Sequence, residues 1–174
     1  HENTKELLFS NSPDICTFTI MTTILLDSGK EITNSELRDV LVDEYNTLYD
    51  DYSVKILDIL RSQGKTIMVR KIESGELTIE NVILREDYYL TSLDIWLIAR
   101  SFDISLVMIK STPFIEVNNN IIVCNSKEKN EFYFIKIPGV KSDIAPNYKL
   151  IISDDNKTKF NVSVLTPSLV KEIN

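Results

Sequence analysis

Histidine is absent from every position of this chain except the first, His1, at an extreme terminus where order is poor and a residue left by a tag or cleavage is common. The chain interior therefore has no imidazole to carry protons near neutral pH. Glycine is scarce as well, with only Gly29, Gly64, Gly75 and Gly139 present. These are too far apart for a dinucleotide fingerprint, and GxxxxGK[ST] does not occur, which excludes two common phosphate cradles. The two cysteines, Cys16 and Cys124, stand far apart and unaccompanied, so there is neither zinc spacing nor a disulfide framework. In a chain of this size they point to a reducing, cytoplasmic setting. The carboxylates Asp43/Glu44, Asp87 and Asp154/Asp155 show no ligand-like spacing, and we expect no metal and no cofactor. Basic charge is also short: 19 Lys and Arg against 26 Asp and Glu give a net charge of −7. Such a chain does not neutralise phosphates, so we expect no nucleic-acid partner and no membrane partner. We expect neither a signal peptide nor an apolar run of spanning length.

What is present is globular. The 174 residues are 43% hydrophobic and 26% charged, enough for one domain with a real core. Isoleucine, asparagine and lysine abound while alanine occurs only at Ala99 and Ala145, a bias of AT-rich genomes. A large DNA virus, a protist and a low-GC bacterium are all such sources, and the first would put the protein in a host cytoplasm.

The first half reads as helices. Asp14 after Pro13 is placed to cap a helix through Cys16, Phe18, Ile20, Met21, Ile24 and Leu25, with Gly29 to end it. Thr33-Asn34-Ser35-Glu36 is a capping box, opening a helix with apolar Leu37, Val40, Leu41, Tyr45 and Leu48. A further helix carries Val54, Leu57, Ile59 and Leu60 up to Gly64; Thr66 to Ile72 reads as a strand, and Glu76 to Leu84 as a short helix. Thr91 opens a helix apolar nearly all round from Leu93 to Phe102, which predicts burial on more than one side.

The second half changes to strands: Ile104–Ile109, Phe114–Val117, Ile121–Cys124, Phe132–Ile137, Leu150–Ile152 and Phe160–Leu165, with a terminal helix over Pro167 to Ile173. The fold class is α+β (mixed α/β), a helical first half followed by a central sheet. By composition alone Cys16 reads as a small core residue, and Asn147 after Ala145-Pro146 as a turn. Trp96, Phe132, Tyr133 and Phe134 read as core and sheet. Asp50-Asp51 and Asp154-Asp155 read as solvated surface.

One ordered set of features remains. A cysteine opens a buried helix, and a Leu37-Arg38 pair opens the next. Tyr88-Tyr89-Leu90-Thr91 precedes Asp94-Ile95-Trp96-Leu97-Ile98-Ala99, the strand Ile104–Ile109 follows, and Asn147-Tyr148-Lys149-Leu150 comes late. In this order the pieces resemble the OTU (ovarian tumour) family of cysteine proteases, which remove ubiquitin from proteins. The resemblance covers roughly residues 10 to 153 of a single domain spanning 1 to 174, and leaves 154 to 174 as a C-terminal strand and short helix. It implies a papain-related architecture. It sets Cys16 at the nucleophile position, Phe18 at the aromatic two residues on, and Asp94 where the family often has glutamate. Asp14 stands near the family's aspartate but one residue closer to the cysteine, and the glycine between them is missing. Asn147-Tyr148 stands where the family has His-Tyr.

That last departure bears on chemistry. A thiol must lose its proton to attack a carbonyl, and the leaving amine must gain one. An amide side chain at Asn147 does neither. Losing a catalytic base costs on the order of 10⁴-fold in rate. With Cys16, Asn147 and Asp14 as family-matched positions, the resemblance implies a catalytically impaired module that binds a protein partner, ubiquitin being the family's own. Two other readings stay open: an active deubiquitinase in which Cys16 works with an atypical base, and an α/β interaction domain unrelated to proteases.

Overall fold

Capping chemistry builds the helical half. The structure, a computed structural model, describes residues 4–7, 13–111, 121–124, 130–139 and 141–161. Helix α1 (Pro13–Asp27) buries Cys16, Phe18, Ile20, Met21, Ile24 and Leu25 completely. It ends where Gly29, at φ +85°, turns the chain so that Gly29 N–H donates to Leu26 and Lys30 N–H to Leu25. Helix α2 (Asn34–Ser62) starts at the Thr33/Glu36 capping box, each residue's side chain accepting from the other's main-chain N–H. The two helices expected from the sequence between Thr33 and Gly64 run on from one another across a kink at Tyr52, whose φ/ψ is non-helical. Helices α3 (Thr66–Glu73), α4 (Ile79–Ile83) and α5 (Ser92–Ser101) follow, the last two opened by capping boxes at Thr78/Asn81 and Thr91/Asp94.

Two sequence expectations are corrected here. Thr66 to Ile72 is helix, not strand: Val69 is its buried residue, and Met68 and Ile72 pack against the core, a three- and four-residue spacing rather than alternation. Helix α1 opens at Pro13, a residue suited to a first helical position, which puts Asp14 inside the first turn rather than at the expected cap position.

The sheet order is β1–β5–β4–β2–β3, with β1 Thr4–Leu7, β2 Leu106–Ser111, β3 Ile121–Cys124, β4 Glu131–Pro138 and β5 Lys149–Ser153; β6 (Phe160–Asn161) pairs with β4. Only the central pair β2/β4 is parallel among these ladders. Alternation along these strands makes two cores. Leu106, Met108, Tyr133, Ile135 and Ile137 face the helices, whereas Val107, Phe132, Phe134 and Phe160 pack together separately. Burial on both faces explains why Ile104 to Ile109 reads as one apolar run. Strand β1 was not foreseen; its four residues are exposed, and Glu6 ties it to Lys136 and Lys149 by ion pairs. The architecture is α+β, helices first and sheet second, as the sequence predicts. No helix among the described residues is long and apolar enough to cross a membrane. The strand expected at Phe114–Val117, the end of the one expected from Phe160, and the terminal helix lie outside the described residues.

Candidate functional site

Cys16 sits in the first turns of α1 and is 0% exposed, part of the helix-side core. Its Sγ donates to the main-chain oxygen of Tyr148 at 3.3 Å, across 132 residues of sequence. The fold therefore brings the sequence-predicted cysteine to the Asn147-Tyr148 pair. Asn147 is exposed, in the irregular segment just before β5, and Tyr148 is buried. Asp14 belongs to the same first turn as Cys16. Cys16 and Cys124 are both free and buried, and burial pushes the Cys124 thiol up to about 12.

Around Cys16 the main chain is closely tied. Tyr148 Oη donates to Leu90 O at 2.9 Å, and Leu90 N–H donates to Thr17 Oγ1 at 2.9 Å. With the sulfur contact, these bonds close a ring through α1, the 88–91 segment and the entry to β5. Burial raises the Tyr148 phenol far above its usual range, keeping it a neutral donor. On the outer side of α1, the Arg38 guanidinium lies 4.2 Å from the Phe18 ring centroid and donates to Ile83 O and Arg85 O. The Leu37-Arg38 pair thus pins α2 to α1 and to the end of α4.

The 88–91 segment is held in turn by a buried carboxylate that sequence reasoning placed only by family position. Asp94, 0% exposed, accepts from Tyr45 Oη at 2.5 Å, Tyr88 Oη at 2.8 Å and Thr91 N–H at 2.7 Å. Desolvation and the Asp94 charge raise the Tyr45 and Tyr88 phenols well above normal, so both remain donors. A helix cap has become a hub joining α2, α5 and the segment that receives Tyr148. The sequence signal for it was one acidic residue in a helix otherwise apolar nearly all round.

Chemically, Cys16 has the neighbours of a structural thiol. Its proton is directed at a carbonyl, which accepts a hydrogen bond but does not take up a proton near neutral pH. Asn147, the residue before that carbonyl's tyrosine, carries an amide, which takes up no proton either. Among the described residues no group of three or more His, Cys, Asp and Glu is arranged to hold a metal ion.

No protein-family profile matches this chain, and neither does any curated protein sequence. Among solved structures, an OTU domain in complex with ubiquitin matches at 10% sequence identity, over 98% of this chain and 82% of that one, with a TM-score of 0.55. At that identity the likeness concerns the fold, and the chain has an OTU-like α+β fold.

Proposed function

We propose that this chain is a protein-binding module on an OTU-like fold that no longer cleaves, with ubiquitin as its partner. The observation that supports the reading is the Cys16 Sγ to Tyr148 O contact, which brings the cysteine to the main chain one residue from Asn147, an amide where the resemblance expects a histidine. A thiol 0% exposed and bonded to a carbonyl lacks the proton acceptor and the access that acyl transfer requires. The solved OTU domain with ubiquitin supports the choice of partner. The net charge of −7 complements a basic partner surface, steering encounter while leaving affinity to local packing.

The test is a titration of isotope-labelled ubiquitin with the unlabelled chain. Saturable shifts confined to one ubiquitin face, with no hydrolysis of a ubiquitin C-terminal fluorogenic amide, are expected. Unmoved ubiquitin signals contradict the partner, and turnover contradicts the loss of cleavage.

A further inference from the structure

Lys65 follows the turn at Gly64, whose φ of +92° lets Lys65 N–H reach back to Leu60 O and carries the side chain inward. It is 2% exposed, and its Nζ has no hydrogen-bond partner. The ammonium instead lies 3.9 Å from the ring centroid of Tyr88 and 3.2 Å from that of Tyr89. Tyr89, 6% exposed, also keeps a buried Oη without a partner. Buried donors of this kind are rare and call for an acceptor.

Both residues line a cleft of about 420 Å³. Its other charged groups are engaged: Lys71 with Glu76, Arg85 with Asp87, and Asp143 with Ile67 N–H and Ser142 Oγ. Ile67, Met68, Leu77 and Ala145 supply apolar wall. The cleft therefore joins unspent N–H and O–H donors to a hydrocarbon surface. An acceptor-rich anion on an apolar body satisfies both. Lys71 and Arg85 are neutralised by Glu76 and Asp87, so the cleft offers an incoming anion the single charge of Lys65, which matches a carboxylate monoanion better than a phosphate dianion.

We propose that this cleft binds a carboxylate carried on an apolar chain, Lys65 and Tyr89 donating to its oxygens and Ile67, Met68, Leu77 and Ala145 holding its carbons. Lysine's flexible four-carbon stem lets Nζ swing from the Tyr89 face to meet the anion. Desolvation brings the Lys65 amine down to about 7, and an entering anion offsets that cost. Neither Cys16 nor Asn147 lines the cleft, so this site stands apart from the proposed ubiquitin reading.

The test is a methyl and amide NMR titration of the whole chain with hexanoate, with hexanol as its neutral counterpart, and with a short apolar peptide as free acid and as C-terminal amide. Saturable movement of Met68 and Leu77 signals by an acid but not by its neutral counterpart is expected; whichever acid binds identifies the source as a free acid or a chain end. Lys65→Met should weaken that binding at least about tenfold and Tyr89→Phe several-fold, with circular dichroism confirming folding. Should Lys65→Met not fold, Tyr89→Phe alone decides. Absence of saturable binding by both acids, equal binding of an acid and its neutral form, or unchanged binding in the folded variants overturns the proposal.

Discussion

The sulfur of Cys16 lies 3.3 Å from the main-chain oxygen of Tyr148, and the donor to that oxygen is the thiol itself. A thiol so placed is a packing group with a weak hydrogen bond. Its reactivity in the native protein should be nil on the timescale of minutes: a disulfide reagent such as Ellman's should find neither cysteine until denaturant is added, then both. Cys16→Ala should cost about 1–2 kcal/mol, from the lost contact and the small cavity left behind, read by chemical denaturation. Rapid native-state labelling of Cys16 contradicts this picture.

Asp94 carries more weight. Replacing it by alanine takes the shared acceptor from Tyr45 Oη, Tyr88 Oη and Thr91 N–H together. We expect a loss of about 3–5 kcal/mol, against about 1.5–3 kcal/mol for Tyr45→Phe, which removes a single bond to a charged acceptor. If Asp94→Ala costs no more than Tyr45→Phe, the hub is not a hub.

Asp143 caps a helix that is far away in sequence. Its Oδ1 accepts from Ile67 N–H at 2.8 Å and its own N–H donates to Gly64 O, while Thr66 Oγ1 and Ser142 Oγ meet at 2.9 Å. The segment leading to Asn147 is thereby clamped to the start of α3. Asp143→Ala should cost about 1 kcal/mol, as a lost helix cap does, and Asp143→Asn, which keeps an acceptor, should cost less. Faster amide exchange at Ile67 in the alanine variant alone checks the assignment.

This clamp explains what the sequence hid. Helices opened by local chemistry were legible: the Thr33/Glu36 box and the Thr91/Asp94 box each lie within four residues. Helix α3 has no such signal, because Lys65 at its N-cap makes no side-chain cap bond and the carboxylate comes from Asp143, 76 residues on. Its Thr66, Ile67, Val69 and Ile72 then read as a strand. Strand β1 was invisible for a related reason, its exposed residues being held by Lys136 and Lys149 from other strands. The order of motifs singles out Cys16 and the Asn147-Tyr148 pair, and the fold joins Cys16 to Tyr148 through the sulfur contact. Lys65 and the Tyr45 partner of Asp94 were not legible, since a lysine after Gly64 looks solvated until the fold lays two tyrosines over it.

Lys65 also makes stability depend on pH. Burial lowers its folded-state pKa to about 7 from an unfolded value near 10.5, so between those values the unfolded chain binds more protons. The native state therefore bears the full cost of the buried charge below pH 7 and gains stability as pH rises toward about 10.5. Above that the sign reverses, because the phenols of Tyr45, Tyr88 and Tyr148 are raised in the fold and ionise in the unfolded chain first. Lys65→Met should stabilise by about 1–4 kcal/mol at pH 6, the aromatic faces offsetting part of the desolvation, with the gain shrinking as pH climbs. A gain independent of pH contradicts the assignment.

The most direct measurement is exposure of the whole chain to ubiquitin bearing a C-terminal thiol-reactive electrophile, followed by intact mass. The account predicts saturable ubiquitin binding with no covalent adduct on Cys16 over hours. A prompt adduct of one ubiquitin, abolished by Cys16→Ala, contradicts it.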